Sequence, residues 1–434
     1  MLDHQILARV IRMTSREIAE TLQAQLQTDY ARSVAAALSA ILDDVALEIG
    51  RGAAARAGTE SASAEKPSLA ALATQELERL ATEAGLLARA AAADRAAIAT
   101  HRKQPVTVAT LEVALSTLSC ASVGKPLSVI PLPGGFSKET YLVETTSGRQ
   151  LILRRDLPLG PVNASSADEF GLLVALEERG LPVPRVIAAQ KRPNPLGQPF
   201  ILMERVGGEN AGAASRRDTT VGRRVALGLA RVLARLHSLD PAELGLPPSR
   251  GGAQEHVLAY LEGWRAYWRS RRIRACAILE SAMDWLQANV PSKIDRLVPI
   301  HGDARPDNML VGQDGEVTAL LDWEFQHAGD AAEDVEYALN FVSDALPRQE
   351  FIQAYFDSGG APYSLDRTRF YEIWRAARNL ICLEASWSGF NEGSYPVFSL
   401  AAPTFLYRRH VLRDLASSLQ ALPTSGAGPQ SLRQ

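Results

Sequence analysis

His301-Gly302-Asp303-Ala304-Arg305-Pro306-Asp307-Asn308 is the stretch on which the reading of this chain turns. The apolar run Leu297-Val298-Pro299-Ile300 leads into it, and Met309-Leu310-Val311 follows. A second acidic segment, Leu320-Leu321-Asp322-Trp323-Glu324, comes shortly after. The pattern predicts a short buried strand, a polar loop, a strand, a turn at Asp314-Gly315, and a strand ending in Asp322. The carboxylates of Asp303 and Asp322 and the amide of Asn308 then arrive from adjacent strand ends as hard oxygen donors. Such a set suits Mg²⁺, which keeps waters and binds through one or two carboxylates plus substrate phosphates. The bland alternative is a surface loop with capping Asp and Asn side chains.

Upstream, the chain changes character twice. Residues 1–100 read as a helical domain: Val34, Leu38, Ile41, Val45 and Ile49 recur at helical spacing, and Gly50 ends the run. An Ala/Gly/Ser-rich stretch, Arg51 to Lys66, reads as a flexible loop before a second helix with Leu69, Leu72, Leu77 and Leu80. This region carries no chemistry-bearing cluster and suggests packing or partner binding, including a homo-oligomer through these helices. After a boundary near His101 to Pro105 and a short helix at Leu111 to Leu118, the pattern turns to strands. Leu127 to Leu132, Thr140 to Thr145 and Leu151 to Arg155 predict a meander with turns at Gly134-Gly135 and Ser147-Gly148. A helix over Ser165 to Arg179 contains Glu169, and strands at Arg185 to Ala189 and Pro199 to Val206 follow. From Thr219 the chain is mainly helical, and 423–434 read as a disordered tail. The expected fold class is α+β: a β-rich unit over 106–206 and a larger helical unit over 207–422.

Composition narrows the function classes. A net charge of −3 over 434 residues gives no general attraction to nucleic acid or anionic membrane. Cys120, Cys276 and Cys382 show no metal or disulfide spacing and fit a reducing compartment. The N-terminus, with Asp3 and His4, lacks the basic region of a secretory signal, and no apolar run suits a spanning helix. The expectation is a cytoplasmic protein with no membrane or nucleic-acid partner.

With both acidic motifs following a β-rich unit, the chain from about residue 110 to 420 resembles the aminoglycoside phosphotransferase/choline kinase-like branch of the protein-kinase fold. The resemblance rests on His301-Gly302-Asp303 with Asn308 and on Leu321-Asp322-Trp323-Glu324. It implies a bilobal kinase-like fold with an additional N-terminal helical domain, and ATP and Mg²⁺ as cofactors. Asp303 would be the base on a substrate hydroxyl, and Asn308 and Asp322 would hold Mg²⁺ against the phosphates. Gly134-Gly135 and Ser137 match the turn over the phosphates, although an ordinary hairpin turn uses the same residues. Arg154 stands where protein kinases carry Lys, with Glu169 as its helix partner. Arg154 and Arg155 fall on opposite strand faces, and two exposed strand arginines are the alternative. Met203, Glu204 and Val206 match the segment that joins the lobes and would meet adenine. His301 and His237 read as structural, and Asp334 as an acceptor of loop N–H groups.

The acceptor is less legible. Arg265, Arg269 and Arg272 share a helical face beside Leu261, Trp264 and Trp268. That face suits an anionic acceptor such as coenzyme A phosphates, or is simply a solvated basic face. The wording around Arg305, and Gly329-Asp330 downstream, is similar to an acyl-CoA-dehydrogenase-associated subgroup, which implies a hydroxyacyl-CoA acceptor. An aminoglycoside or choline-like acceptor, and a non-catalytic nucleotide-binding scaffold, are the other readings.

Overall fold

The computed structural model describes residues 105–422, apart from 119–122, 133–136, 158–159, 163, 247–250, 273–275 and 392–397. The expected helices of 1–100, the pair Gly134-Gly135 and the tail 423–434 lie outside the described residues. A helix, α1 (Val108–Ser116), opens the described chain, with Thr107 and Thr110 bonding reciprocally at its start.

Five strands then form one antiparallel sheet: β1 (Pro126–Leu132), β2 (Lys138–Thr145), β3 (Gln150–Asp156), β4 (Val186–Gln190) and β5 (Phe200–Glu204), in the order β1-β2-β3-β5-β4. Strand alternation sends Leu151, Leu153, Phe200 and Leu202 to one face, where they pack with Leu111, Ala114 and Leu115 of α1. Ile152, Ile201 and Met203 go to the other face and join Leu172, Leu173 and Leu176 of α2 (Glu169–Glu178). Because Arg154 follows this second face, its guanidinium is aimed at α2. Arg155 goes the opposite way and is buried, with Glu139 as partner and the Leu196 carbonyl 3.0 Å away. The reading of two exposed strand arginines is therefore corrected: sheet packing closes over both.

The rest is mainly helical. After β6 (Glu209–Asn210) come α3 (Ala211–Arg217) and the long α4 (Thr219–Ser238), whose first turn is capped by Asp218. Val225, Ala226, Leu229, Ala230, Leu233 and Leu236 of α4 form the centre of the main core. The helices α5 (Ala253–Arg271) and α6 (Ala277–Ala288) then lead to the quoted loop. Around it lie β7 (Val298–Ile300), β8 (Met309–Val311), β9 (Val317–Leu320) and β10 (His327–Gly329). β7 pairs with β10, and β8 lies between β6 and β9. The helices α7 (Ala331–Val342), α8 (Arg348–Asp357) and α9 (Thr368–Asn391) follow. One expectation needs adjustment: β9 stops at Leu320, so Asp322 is not a strand residue. No helix among the described residues is long and apolar enough to cross a membrane.

Candidate active site

The loop after β7 is hung from one carboxylate. Asp334, in the first turn of α7, is fully buried and accepts the N–H of His301 at 2.7 Å and of Gly302 at 2.8 Å. Burial by itself would raise its pKa, but His237 and these loop N–H groups hold it below the usual range. His237 completes the support, with Nε2 3.2 Å from Asp334 and Nδ1 2.8 Å from the Tyr355 hydroxyl. Gly302 is required by its surroundings. It has φ +83°, and a Cβ there would lie 2.7 Å from the Cβ of Phe325.

His301 has its tautomer fixed by its neighbours. Nδ1 accepts the N–H of Asp303 at 3.1 Å, so Nε2 carries the proton and donates to the Leu321 carbonyl at 3.0 Å. Burial lowers its pKa, which keeps the ring neutral. The imidazole thus links the loop before Asp303 to the segment before Asp322.

Asp303 is buried, and both of its carboxylate oxygens are addressed. Oδ2 accepts from Asn308 Nδ2 at 2.6 Å, and the same amide nitrogen reaches the Asp303 carbonyl at 2.9 Å. Those bonds engage the Asn308 amide nitrogen and not its oxygen. Oδ1 accepts from the Tyr337 hydroxyl, and Arg305 Nε lies 3.4 Å from it. Burial and the Asp303 charge raise the Tyr337 pKa, so the phenol stays protonated as a donor.

Asp322 sits just past β9 with φ 68°, a left-handed conformation that few residues other than glycine adopt. Its carboxylate pairs with Arg154, whose other arm reaches Glu169 at 3.1 Å. Glu169 is the first residue of α2, and burial raises its pKa despite the arginine. Arg154 therefore ties the sheet's helix to the second acidic motif. Beside this pair is Glu324, whose Oε2 is buried with no hydrogen-bond partner among the described residues. Burial and the Asp322 charge push its pKa up to about 8. The Lys138 and Ser137 side chains work against that rise, and Lys138 Nζ is 3.9 Å from Glu324, 3.1 Å from Asp156 and 2.7 Å from the Ala164 carbonyl.

The oxygens of Asp322, Asn308 and Glu324 are a donor set that fits a divalent cation, and Glu324 Oε2 is an orphaned buried atom of the right kind. Among the described residues no three His, Cys, Asp or Glu side chains are arranged to hold a metal by themselves. A Mg²⁺ here would need oxygens from a bound phosphate as well, which is its usual habit.

Other expected residues fall as follows. Met203 is in the core, and Glu204 pairs with Arg149 at the end of β5. The N–H of Glu204 bonds the Arg185 carbonyl at 2.8 Å and that of Arg205 bonds Gln150 at 3.2 Å. The face of Arg265, Arg269 and Arg272 is corrected. All three lie within 3.0 Å of Glu280 on α6, and Arg265 is also 2.6 Å from Asp284. They clamp two helices together and are not a basic surface for an anion. Tyr337, Lys138 and Arg378 carry no sequence signal of their own. Arg378 is buried between the rings of Phe325 and Tyr337, at 4.5 and 5.0 Å, with Nη1 3.5 Å from Glu333.

Comparison with known proteins bears on the family and the fold. The model of the phosphotransferase enzyme family (APH) matches residues 128–371. Acyl-CoA dehydrogenase family member 10 of Mus musculus is 31% identical over 219 residues, which are 49% of this chain and 20% of the relative. Acyl-CoA dehydrogenase family member 11 of Gallus gallus is 31% identical over 220 residues, 50% of this chain and 28% of the relative. The matched region thus spans less than a third of either curated relative. Among solved structures, a provisionally assigned aminoglycoside phosphotransferase of Ralstonia eutropha superposes with TM-score 0.56 at 20% identity, covering 73% of this chain and 99% of that one. Aminoglycoside phosphotransferase APH(4)-Ia, solved with ADP and hygromycin B, gives TM-score 0.51 at 14% identity, covering 73% and 100%. At these identities the superpositions establish the sheet-plus-helix kinase-like fold.

Proposed function

The chain belongs to the phosphotransferase enzyme family, and on that premise we propose that it moves the terminal phosphoryl group of ATP to a hydroxyl of a small molecule. The carrying observation is Asp303, whose two oxygens are fixed by Tyr337 and Asn308 beside the Arg154–Asp322 pair. Phosphoryl transfer asks mainly for position and charge neutralisation. A carboxylate that accepts from two donors keeps lone pairs for an acceptor hydroxyl, whose proton it would take as the oxygen attacks. Asn308 and Asp322, with Glu324, would hold Mg²⁺, which neutralises phosphate charge when bound. Arg154 would leave Asp322 for the phosphates while keeping Glu169. Ser137 and the turn at Gly134-Gly135 would cover those phosphates, and Met203, Glu204 and Val206 would border adenine.

The finer reading is a hydroxyacyl-CoA acceptor. It is supported by Arg305 beside Asp303, by the loop wording, and by relatives named as acyl-CoA dehydrogenase family members. A screen of hydroxyacyl-CoA esters, aminoglycosides and choline with ATP consumption as readout tests both levels. Turnover of a hydroxyacyl-CoA is expected. Turnover of the amino-alcohols alone would replace the finer reading, and turnover of no hydroxyl compound would remove the coarser one.

A further inference from the structure

A cavity of about 380 Å³ lies between the end of β3, the β4–β5 connection and the last turns of α5. Its wall includes Asp156, Asp168, Arg192, Tyr267 and Arg271. The two carboxylates already have cations of their own: Lys138 is 3.1 Å from Asp156, and Lys191 is 2.6 Å from Asp168. Among the described residues the two guanidiniums are not matched in this way. Arg192 bonds the neutral amide of Gln198. Arg271 reaches only a carbonyl, that of Ala385 at 3.3 Å, and its Nε is buried with no hydrogen-bond partner among the described residues. Among the described residues Arg271 has no part in the Glu280 cluster that occupies Arg265, Arg269 and Arg272.

Two guanidiniums in excess over neutralised carboxylates, one with an orphaned buried N–H, are the makings of an anion site. The planar fork of arginine favours phosphate oxygens. The cavity also adjoins the candidate centre. Asp156 is shared with the Lys138 pair, and Lys138 in turn is 3.9 Å from Glu324. Tyr267, whose hydroxyl is 3.3 Å from the Gly160 carbonyl, packs edge-on against Trp264, which stacks on Phe325.

We propose that this cavity binds a phosphate-bearing end of the acceptor molecule through Arg271 and Arg192, while the acceptor hydroxyl meets Asp303. This rests on the reading of the chain as a hydroxyl kinase.

The test is calorimetric titration of the full chain, held in saturating Mg²⁺ and ADP, with inorganic pyrophosphate as probe. Binding is expected, and Arg271→Gln and Arg192→Gln should each weaken it about tenfold or more, the scale of a charged hydrogen bond. Arg192 is exposed, so its variant stays informative even if Arg271→Gln folds poorly. Arg265→Gln removes the same charge from the same helix outside the cavity and should bind as wild type. No binding, unchanged binding in both cavity variants, or equal weakening in Arg265→Gln would each overturn the anion site. With a turned-over acceptor, pyrophosphate should inhibit competitively against that acceptor; inhibition independent of its concentration marks a free-anion site and overturns the acceptor role. A chain that binds pyrophosphate through Arg271 yet phosphorylates nothing overturns the kinase reading and leaves the anion site standing.

Discussion

The Tyr337 hydroxyl donates to Oδ1 of Asp303 across a separation that the sequence does not advertise, from the second turn of α7 to the loop after β7. This bond fixes the rotation of the carboxylate. Tyr337→Phe removes it without a cavity. The expected result is a kcat lower by about tenfold to a hundredfold, from the ~1.5–3 kcal/mol of a charged hydrogen bond. A kcat equal to wild type would show that Asn308 alone orients Asp303.

Asp303→Asn keeps the shape and removes the base. General-base loss is worth roughly 10²–10⁴ in rate, so kcat should fall by that order. ATP affinity, measured by titration, should change little. Undiminished turnover would remove Asp303 from its role.

Chelation and Asp322→Ala probe the same oxygens. Wild-type nucleotide affinity should drop when EDTA removes divalent cations, and the Asp322→Ala variant should bind equally weakly with or without them. A variant that keeps a full Mg²⁺ response would place the metal elsewhere.

Gly302→Ala combines a left-handed backbone with a Cβ 2.7 Å from Phe325. The backbone term alone costs about 1–2 kcal/mol, and the contact with Phe325 adds to it. Denaturant unfolding should show a lowered midpoint, and activity should fall with the displaced loop. A variant as stable as wild type would mean that the loop relaxes freely.

His301 gives a pH dependence with a definite sign. Its folded pKa lies below that of a free imidazole because burial disfavours the cation. The unfolded chain therefore binds the proton first, and the contribution is lost as pH falls below about 6.5. His301→Gln, which keeps an acceptor and a donor, should lose less stability than wild type between about pH 6.5 and 5. A stability difference between the two proteins that is the same at both ends of that range would contradict the neutral assignment.

Much of the centre was legible because it is local. Asp303 and Asn308 share one loop, so their spacing already implies contact, and the structure gives an amide-to-carboxylate bond of 2.6 Å. The alternation of β3 likewise puts Arg154 and Arg155 on opposite faces, as strand geometry demands. What the alternation could not supply was the partner on each side. Arg155 meets Glu139, Arg154 meets Glu169 and Asp322, and both are enclosed. The arginine face of α5 misled for the same reason. Periodicity places charges on one side of a helix, but Glu280 and Asp284 of α6 decide that they are neutralised.

By itself, then, the sequence determined the strand-loop-strand frame, the oxygen donors on it and the cation of β3, since each depends on near neighbours and a repeating backbone geometry. Tertiary structure alone decided which charges remain unmatched: Arg265, Arg269 and Arg272 are taken up, Arg271 has no carboxylate among the described residues, and Tyr337 reaches Asp303. The physical reason is that a charge acts through whatever is packed a few ångströms away, and for these residues that neighbour comes from another element of the fold.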